Sequence, residues 1–376
     1  MEKKHKRRKI IKIGIIFLGA IFLLLLGAFL FLKLWPAFGG RASEEDRRDY
    51  AERAENYRDG KFYNDGDFQI VRETDRTDEN IVSTKGTIPE EKLPVKTPSF
   101  DQRLSDEEVR VTWFGHSSML LQMHGMNILI DPVFSERSSP VSFVGSKRFS
   151  QPPISVEDLP SIDLLILSHD HYDHLDYNVI KEIDEKVDHY ILPLGVENHL
   201  ERWGVAEEKI QNMAWWEETT VNGLSIGCTP ARHYSGRSLD DQFATLWASW
   251  VFHDNYHKVF ESGDSGYGDQ YQKIHDKYGD FDFVLTDCAQ YDVNWPEVHM
   301  FPEEAVQAVQ TLGAKMAMPI HWGAFSLANH GWDDSVERFV SAGESAGLQV
   351  VTPYIGETVN LNYLENSMER WWKDIL

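Results

Sequence analysis

The sequence predicts an α/β fold, with sheets covered by helices, carried behind an N-terminal transmembrane helix. Three observations predict it. Short β-rich runs recur from Val109 onward, with turn residues between them and helical stretches interleaved. Residues 13–32, IGIIFLGAIFLLLLGAFLFL, carry no charge. The chain has 376 residues, 42% hydrophobic and 26% charged, a globular composition with room for one large domain or two smaller ones.

The uncharged run comes first. At about 1.5 Å per residue its twenty residues match a hydrocarbon core of about 30 Å. Seven Lys/Arg precede it within residues 1–12, against Glu2 alone. The positive-inside rule then keeps the N-terminus cytoplasmic, with the chain beyond Trp35 on the far side of the cytoplasmic membrane. The competing reading is a cleaved signal peptide, whose apolar region runs about 7–15 residues. The longer run here favours a single-pass anchor over 13–35.

Residues 36–105 read as a connecting arm. EEDRRDYAERAENYRDG is charged with little apolar periodicity, and prolines gather near the end of the arm. Two readings stand: a disordered tether, or a segment that wraps the domain through Phe62, Phe68 and Ile70.

A domain over 106–364 follows. VRVTWF, SMLLQM and MNILID read as a strand meander. IDLLILS, an unbroken apolar run, reads as a buried strand. A helix is expected from Asn178, a strand at HYILPL and a helix at VENHLERWG. TVNGLSIGCTP reads as a hairpin turning at Asn222-Gly223. LWASWVF, KVFESG, FDFVLTD and KMAMPIH read as strands. A helix starts at Pro302, and another covers DDSVERFVSAGESAG with Asp333 as candidate N-cap. The tail, 365–376, holds Trp371 and Trp372. It fits a bilayer interface, where tryptophan is favoured, or a packed end segment.

Composition limits function. The formal net charge is −23, and the body beyond the basic N-terminus is more acidic still. Such a surface repels a nucleic-acid backbone, and no basic stripe offsets it, so no nucleic-acid partner is expected. Two cysteines, Cys228 and Cys288, make no disulfide framework and read as small buried residues.

The chemistry concentrates in SHDHYDHLD, residues 168–176, which holds three histidines and three aspartates. His169 and His171 alternate just after a buried strand, and a turn there presents Asp173 and His174 to a neighbouring point. Two adjacent His/Asp points describe a pair of divalent ions. Zn²⁺ suits imidazole with carboxylate, and Fe or Mn suits it less well. Four residues cannot complete two sites. His233, Asp264 and His321 each follow a predicted strand and supply the remainder.

Asp131, the HxHxDH run, His233, Asp264 and His321 together resemble the five ordered motifs of the metallo-β-lactamase superfamily, over roughly 109–360. Within it the chain is similar to the N-acylphosphatidylethanolamine-hydrolysing phospholipase D group, through TWFGHSS, ILIDPVFSERSSP, GSKRF, LSHDHYDHLDY, GDSGY, HMFPEEAV and IHWGAFSLAN. The resemblance implies a four-layer αββα sandwich with the site at one edge of two sheets. It implies one zinc on His169, His171 and His233, the other on Asp173, His174 and His321, and Asp264 bridging. Asp131 would orient a ligand from behind. His299 would stand near the substrate as a catalytic residue with Asp173, and Tyr291 and Trp295 are candidates for the pocket wall or for core packing. His116 fits either a structural or a site role.

The expected reaction is hydrolysis of an N-acyl phosphatidylethanolamine-like lipid to phosphatidic acid and N-acylethanolamine. Two cations about 3.5–4 Å apart share a hydroxide that attacks phosphorus. Two alternatives remain open at this level: a hydrolase of a soluble ester, lactone or other phosphodiester, and a metal-binding envelope protein without turnover. Loops before His299 depart from the family pattern, so acyl preference does not transfer. The oligomeric state is not legible.

Overall fold

In the computed structural model, residues 1–72, 78, 85–100, 104–105, 107–364 and 369–375 are described. Parts of the expected arm (73–77, 79–84, 101–103 and 106) and of the tail (365–368 and Leu376) lie outside the described residues.

Side chains alternate along the strands, and the alternation sorts them into layers. Val111, Leu121, Ile128, Ile130, Leu164 and Ile166 face a core that also takes Ile226, Trp250 and Phe260. Leu120, Leu129 and Leu165, from the same strands, face the other way. They pack against Val179 and Ile180 of helix Tyr177–Ile183 and Leu200 of helix Glu197–Trp203. Ile274, Val306 and Phe339 bring helices Gln270–Tyr278, Pro302–Thr311 and Asp334–Ser345 to the opposite side. The outcome is helix, sheet, sheet, helix: the expected αββα sandwich.

Each sheet has seven strands. The first runs, in space, Ile210–Met213, Val187–Pro193, Ile162–Ile166, Met126–Ile130, Met119–Met123, Arg110–Trp113 and Thr358–Asn360. The second runs Glu218–Val221, Leu224–Pro230, Ala248–His253, Lys258–Glu261, Phe283–Asp287, Met316–Ile320 and Gln349–Val350. Met126–Ile130 and Ile162–Ile166 are parallel neighbours, as are Lys258–Glu261, Phe283–Asp287 and Met316–Ile320. Leu224–Pro230 runs the same way as these three, two antiparallel steps from Lys258–Glu261. Parallel strands end at one edge, so the residues that follow them are gathered there.

The apolar N-terminal run lies within one helix, Glu2–Leu34. Among the described residues it is the one helix long and apolar enough to cross a membrane, and its apolar window is buried against nothing in the chain. Pro36 excludes the helical conformation at Trp35, which is extended, and the helix stops there.

One expectation changes, and two open alternatives are decided. The charged arm segment forms a helix, Glu44–Arg53, started by a capping box between Ser43 and Asp46. Tyr50 is its one buried side chain, so apolar periodicity could not announce it. Residues 36–72 wrap the domain: Phe62 is buried and Phe68 meets Phe243 edge to face. The tail is packed, not interfacial. Trp371 and Trp372 are buried and contact Trp322, and Lys85 donates to the Trp372 and Ile375 carbonyls. Asp333 sits at the N-cap of Asp334–Ser345 but pairs with Lys85 at 3.0 Å in place of capping the helix. Both cysteines are free and buried.

Candidate metal centre

The shared strand edge brings all seven candidate ligands together. His169 Nε2 and His233 Nε2 lie 2.9 Å and 3.2 Å from His171 Nδ1. Asp173 Oδ2 lies 3.3 Å from His321 Nε2 and 3.7 Å from His174 Nε2. Asp264 stands between the two groups. Its Oδ2 is 3.1 Å from His174 Nε2, 3.3 Å from His321 Nε2, 3.7 Å from His233 Nε2 and 3.8 Å from His169 Nε2. Four imidazole nitrogens thus surround one carboxylate oxygen.

The donor set fits cations. His174 Nε2 and Asp264 Oδ1 are buried and hydrogen-bond to no protein group. Unpaired buried polar atoms are costly, and a metal satisfies both. Burial, with neighbouring histidines, holds the His169 and His233 imidazoles neutral, the state a ligand needs. Burial opposes charge on His174 and His321 too, but Asp264 with Asp173, Asp131 or Asp287 overrides it. These carboxylates push His321 up to about 10 and His174 well above its ordinary value. The second group therefore demands positive charge, which a divalent ion supplies.

The supports lie one layer back. Asp131 follows Met126–Ile130 and accepts from Ser168 N at 2.8 Å and Ser168 Oγ at 2.5 Å, while His174 Nδ1 sits 2.7 Å from its Oδ2. His116 Nε2 is 2.9 Å from Asp173 Oδ2, and its ring packs on His321 at 4.1 Å, so it belongs to the site. Burial and His321 push the His116 imidazole down to about 3. Asp131, His116 and His321 all have positive φ (41°, 56° and 69°), backbone strain that the surrounding sheet ends hold in place. Asp170 turns away from the ligands. It accepts from Gly236 N at 2.8 Å and Thr245 Oγ1 at 2.9 Å, and pairs with His199, which fastens the following loops.

Asp287 was not among the sequence candidates. Its Oδ2 lies 2.9 Å from His299 Nδ1, and its Oδ1 lies 3.3 Å from His321 Nδ1. The signal was present: like Asp131, it ends an apolar strand run at the ligand edge.

A cavity of about 380 Å3 opens over the ligands. His299, Trp295, Leu327 and the arm residues Ile70 and Val71 help line it. Asn64, also from the arm, bonds both the N–H and the carbonyl of His233. Tyr291 does not line this cavity, contrary to expectation. It is buried, donates to Asp334 Oδ2 at 2.5 Å and stacks on His330 at 4.3 Å.

Comparison with known proteins agrees with this geometry. A family model described as a beta-lactamase superfamily domain matches residues 126–322. The chain belongs to the metallo-β-lactamase superfamily. Its relatives include an uncharacterized protein of Mycobacterium tuberculosis, 38% identical over 335 residues, covering 87% of this chain and 89% of the relative. An N-acyl-phosphatidylethanolamine-hydrolyzing phospholipase D of Caenorhabditis elegans is 33% identical over 270 residues, covering 69% of this chain and 75% of the relative. A metallo hydrolase from Ignicoccus hospitalis shares the fold at TM-score 0.54 and 20% identity, covering 67% of this chain and 98% of its own. As a superfamily member with this donor set, the chain is a metal-dependent hydrolase.

Proposed function

We propose that the chain is a membrane-anchored phosphodiesterase of the phospholipase D type, cleaving N-acyl phosphatidylethanolamine-like lipids to phosphatidic acid and N-acylethanolamine. The similarity to the Caenorhabditis elegans phospholipase D carries this reading. The anchor is the Glu2–Leu34 helix, with residues 1–12 cytoplasmic and the catalytic domain on the far side of the cytoplasmic membrane; the basic residues before the apolar run support that orientation.

In this reading His169, His171 and His233 would hold one zinc and Asp173, His174 and His321 the other, with Asp264 placed to serve both. Bound there, two cations would supply Lewis acidity to the phosphate oxygens and would lower the pKa of a bound water to ~7. The chain's own residues do the rest. Asp131 fixes the His174 ring so that Nε2 faces the centre. Asp173, at the cavity floor, takes up the proton that water loses. Asp287 holds His299 by Nδ1, which leaves Nε2 as the nitrogen free to serve the cavity. Water oxygen bonds to phosphorus, the bond from phosphorus to the ethanolamine oxygen breaks, and His299 Nε2–H protonates the departing alkoxide. The apolar wall of Trp295, Leu327, Ile70 and Val71 excludes water beside the reacting phosphate.

Mass spectrometry of products tests this. The zinc-loaded full chain, in mixed micelles with N-acyl phosphatidylethanolamine, should release phosphatidic acid and N-acylethanolamine, and Asp264→Ala should release neither. Absence of lipid cleavage by protein that holds two metals would reject the lipid reading and direct the search to soluble esters, lactones and other phosphodiesters.

A further inference from the structure

The apolar helix does not leave the domain through a free linker. Its base is clamped. Trp35 Nε1 donates to the Pro140 carbonyl at 2.6 Å, and Trp203 Nε1 to the Pro36 carbonyl at 2.8 Å. Arg202 reaches the carbonyls of Lys33 and Gly39, and Arg237 donates to the Ala37 carbonyl at 3.0 Å. Lys33 pairs with Asp240 at 3.7 Å, and Arg41 with Asp240 and Asp241 at 2.8 Å and 2.6 Å. Lys33 is the first charged residue after the apolar run, so it marks the membrane boundary. Whatever pairs with it stands at that level.

Two loops meet this boundary, 135–147 and 236–241. Each carries apolar side chains that are largely exposed. Phe143 is 77% exposed, Val144 58% and Leu239 86%. Leu239 adjoins Asp240, the partner of Lys33. Phe143 and Val144 lie three and four residues past Pro140, the partner of Trp35. A lone exposed leucine needs no account, but three such side chains flanking the base of one apolar helix form a patterned apolar rim. Between the loops and the helix base lies a cavity of about 500 Å3. Tyr172 lines both this cavity and the one over the ligands, and Ser138 and Ser139 divide between them, so the two are neighbours.

We propose that loops 135–147 and 236–241 form a second membrane-contact surface, with Phe143, Val144 and Leu239 seated in the bilayer interface around the anchor. This rests on the reading of Glu2–Leu34 as a membrane span. The surface then fixes the orientation of the domain: the cavity at the helix base faces lipid headgroups, and the metal centre stands one side chain, Tyr172, behind it. The clamp holds the domain against the membrane; no tether lifts it away.

Depth-dependent quenching tests the surface on the full chain. Cys228 and Cys288 are buried, so an environment-sensitive thiol probe placed by Phe143→Cys or Leu239→Cys labels selectively. Tyr256→Cys provides an exposed control beyond the opposite sheet edge, in the turn between Ala248–His253 and Lys258–Glu261. Phe22→Cys reports on the span itself. In vesicles carrying brominated phospholipid, probes at 143 and 239 should lose fluorescence and shift to the blue, and the probe at 256 should do neither. Quenching at 22 with none at 143 and 239 would overturn the surface while leaving the anchor intact. No quenching at 22 would remove the anchor, and the proposal with it.

Discussion

Asp131 uses both carboxylate oxygens, on the Ser168 N–H and hydroxyl and on His174 Nδ1. It reaches the centre directly through His174 Nδ1 and, one step further, through Ser168 Oγ, which lies 2.9 Å from His169 Nδ1. Removing such a support usually costs about 10–100-fold in metal affinity. Asp131→Ala should lose that much for the Asp173/His174/His321 position, read by competition with a chromogenic chelator. Unchanged affinity would mean that His174 is held by its packing alone. Asp287 has the same architecture on the other sheet, with the difference that it braces one proposed ligand, His321, and one proposed acid, His299.

Two elements outside the sheets support the site. Helix Glu44–Arg53 docks by Tyr50, which donates to Glu197 on helix Glu197–Trp203. Burial pushes the Glu197 carboxyl up to about 7. The folded chain therefore keeps a proton that the unfolded chain releases. This contribution to stability is complete below the unfolded carboxyl pKa and is lost as pH rises through about 7, a loss on the order of 3 kcal/mol. The denaturation midpoint should fall over that window, and Glu197→Gln should flatten the slope. An equal slope in both proteins would place the titration elsewhere. The second element is the packed tail. Trp372 is fully buried against Trp322, the residue after His321. Trp372→Ala should cost about 3–5 kcal/mol in denaturant unfolding. Vesicle binding of the folded variant should be unchanged, and a weakened binding would return the tail to the bilayer interface.

At the scale of the molecule, the two sheets deliver buried Asp131, Asp173, Asp264 and Asp287 to one edge, with Glu261 beneath. Burial and the nearby Asp131 push the Glu261 carboxyl well above its ordinary value. The remaining carboxylates repel one another unless cations lie among them. Anything bound only by the folded state stabilises it by mass action, about 4 kcal/mol at a free concentration of 1,000 times Kd. Chelation should therefore lower the melting temperature of the full chain, and zinc should restore it. A chelated protein that melts unchanged would show that imidazolium charge alone balances the edge.

The sequence by itself determined the strands, because alternation and unbroken apolar runs are local. It also determined the order of the candidate ligands, because each follows a strand that stops at the same edge. The long apolar helix was equally legible, being a run of one composition. Only tertiary structure placed Asp287: its position at the end of an apolar strand run was a local cue, but the pairing with His299 and His321 that gives the cue meaning is not local. It moved Tyr291 behind the cavity, onto Asp334 and His330, and turned Trp371 and Trp372 inward onto Trp322. It made a cavity wall of Ile70 and Val71, from an arm whose composition resembles a tether. In each case the deciding partner lies tens to hundreds of residues away, and burial against a distant surface is a property that no window of sequence contains.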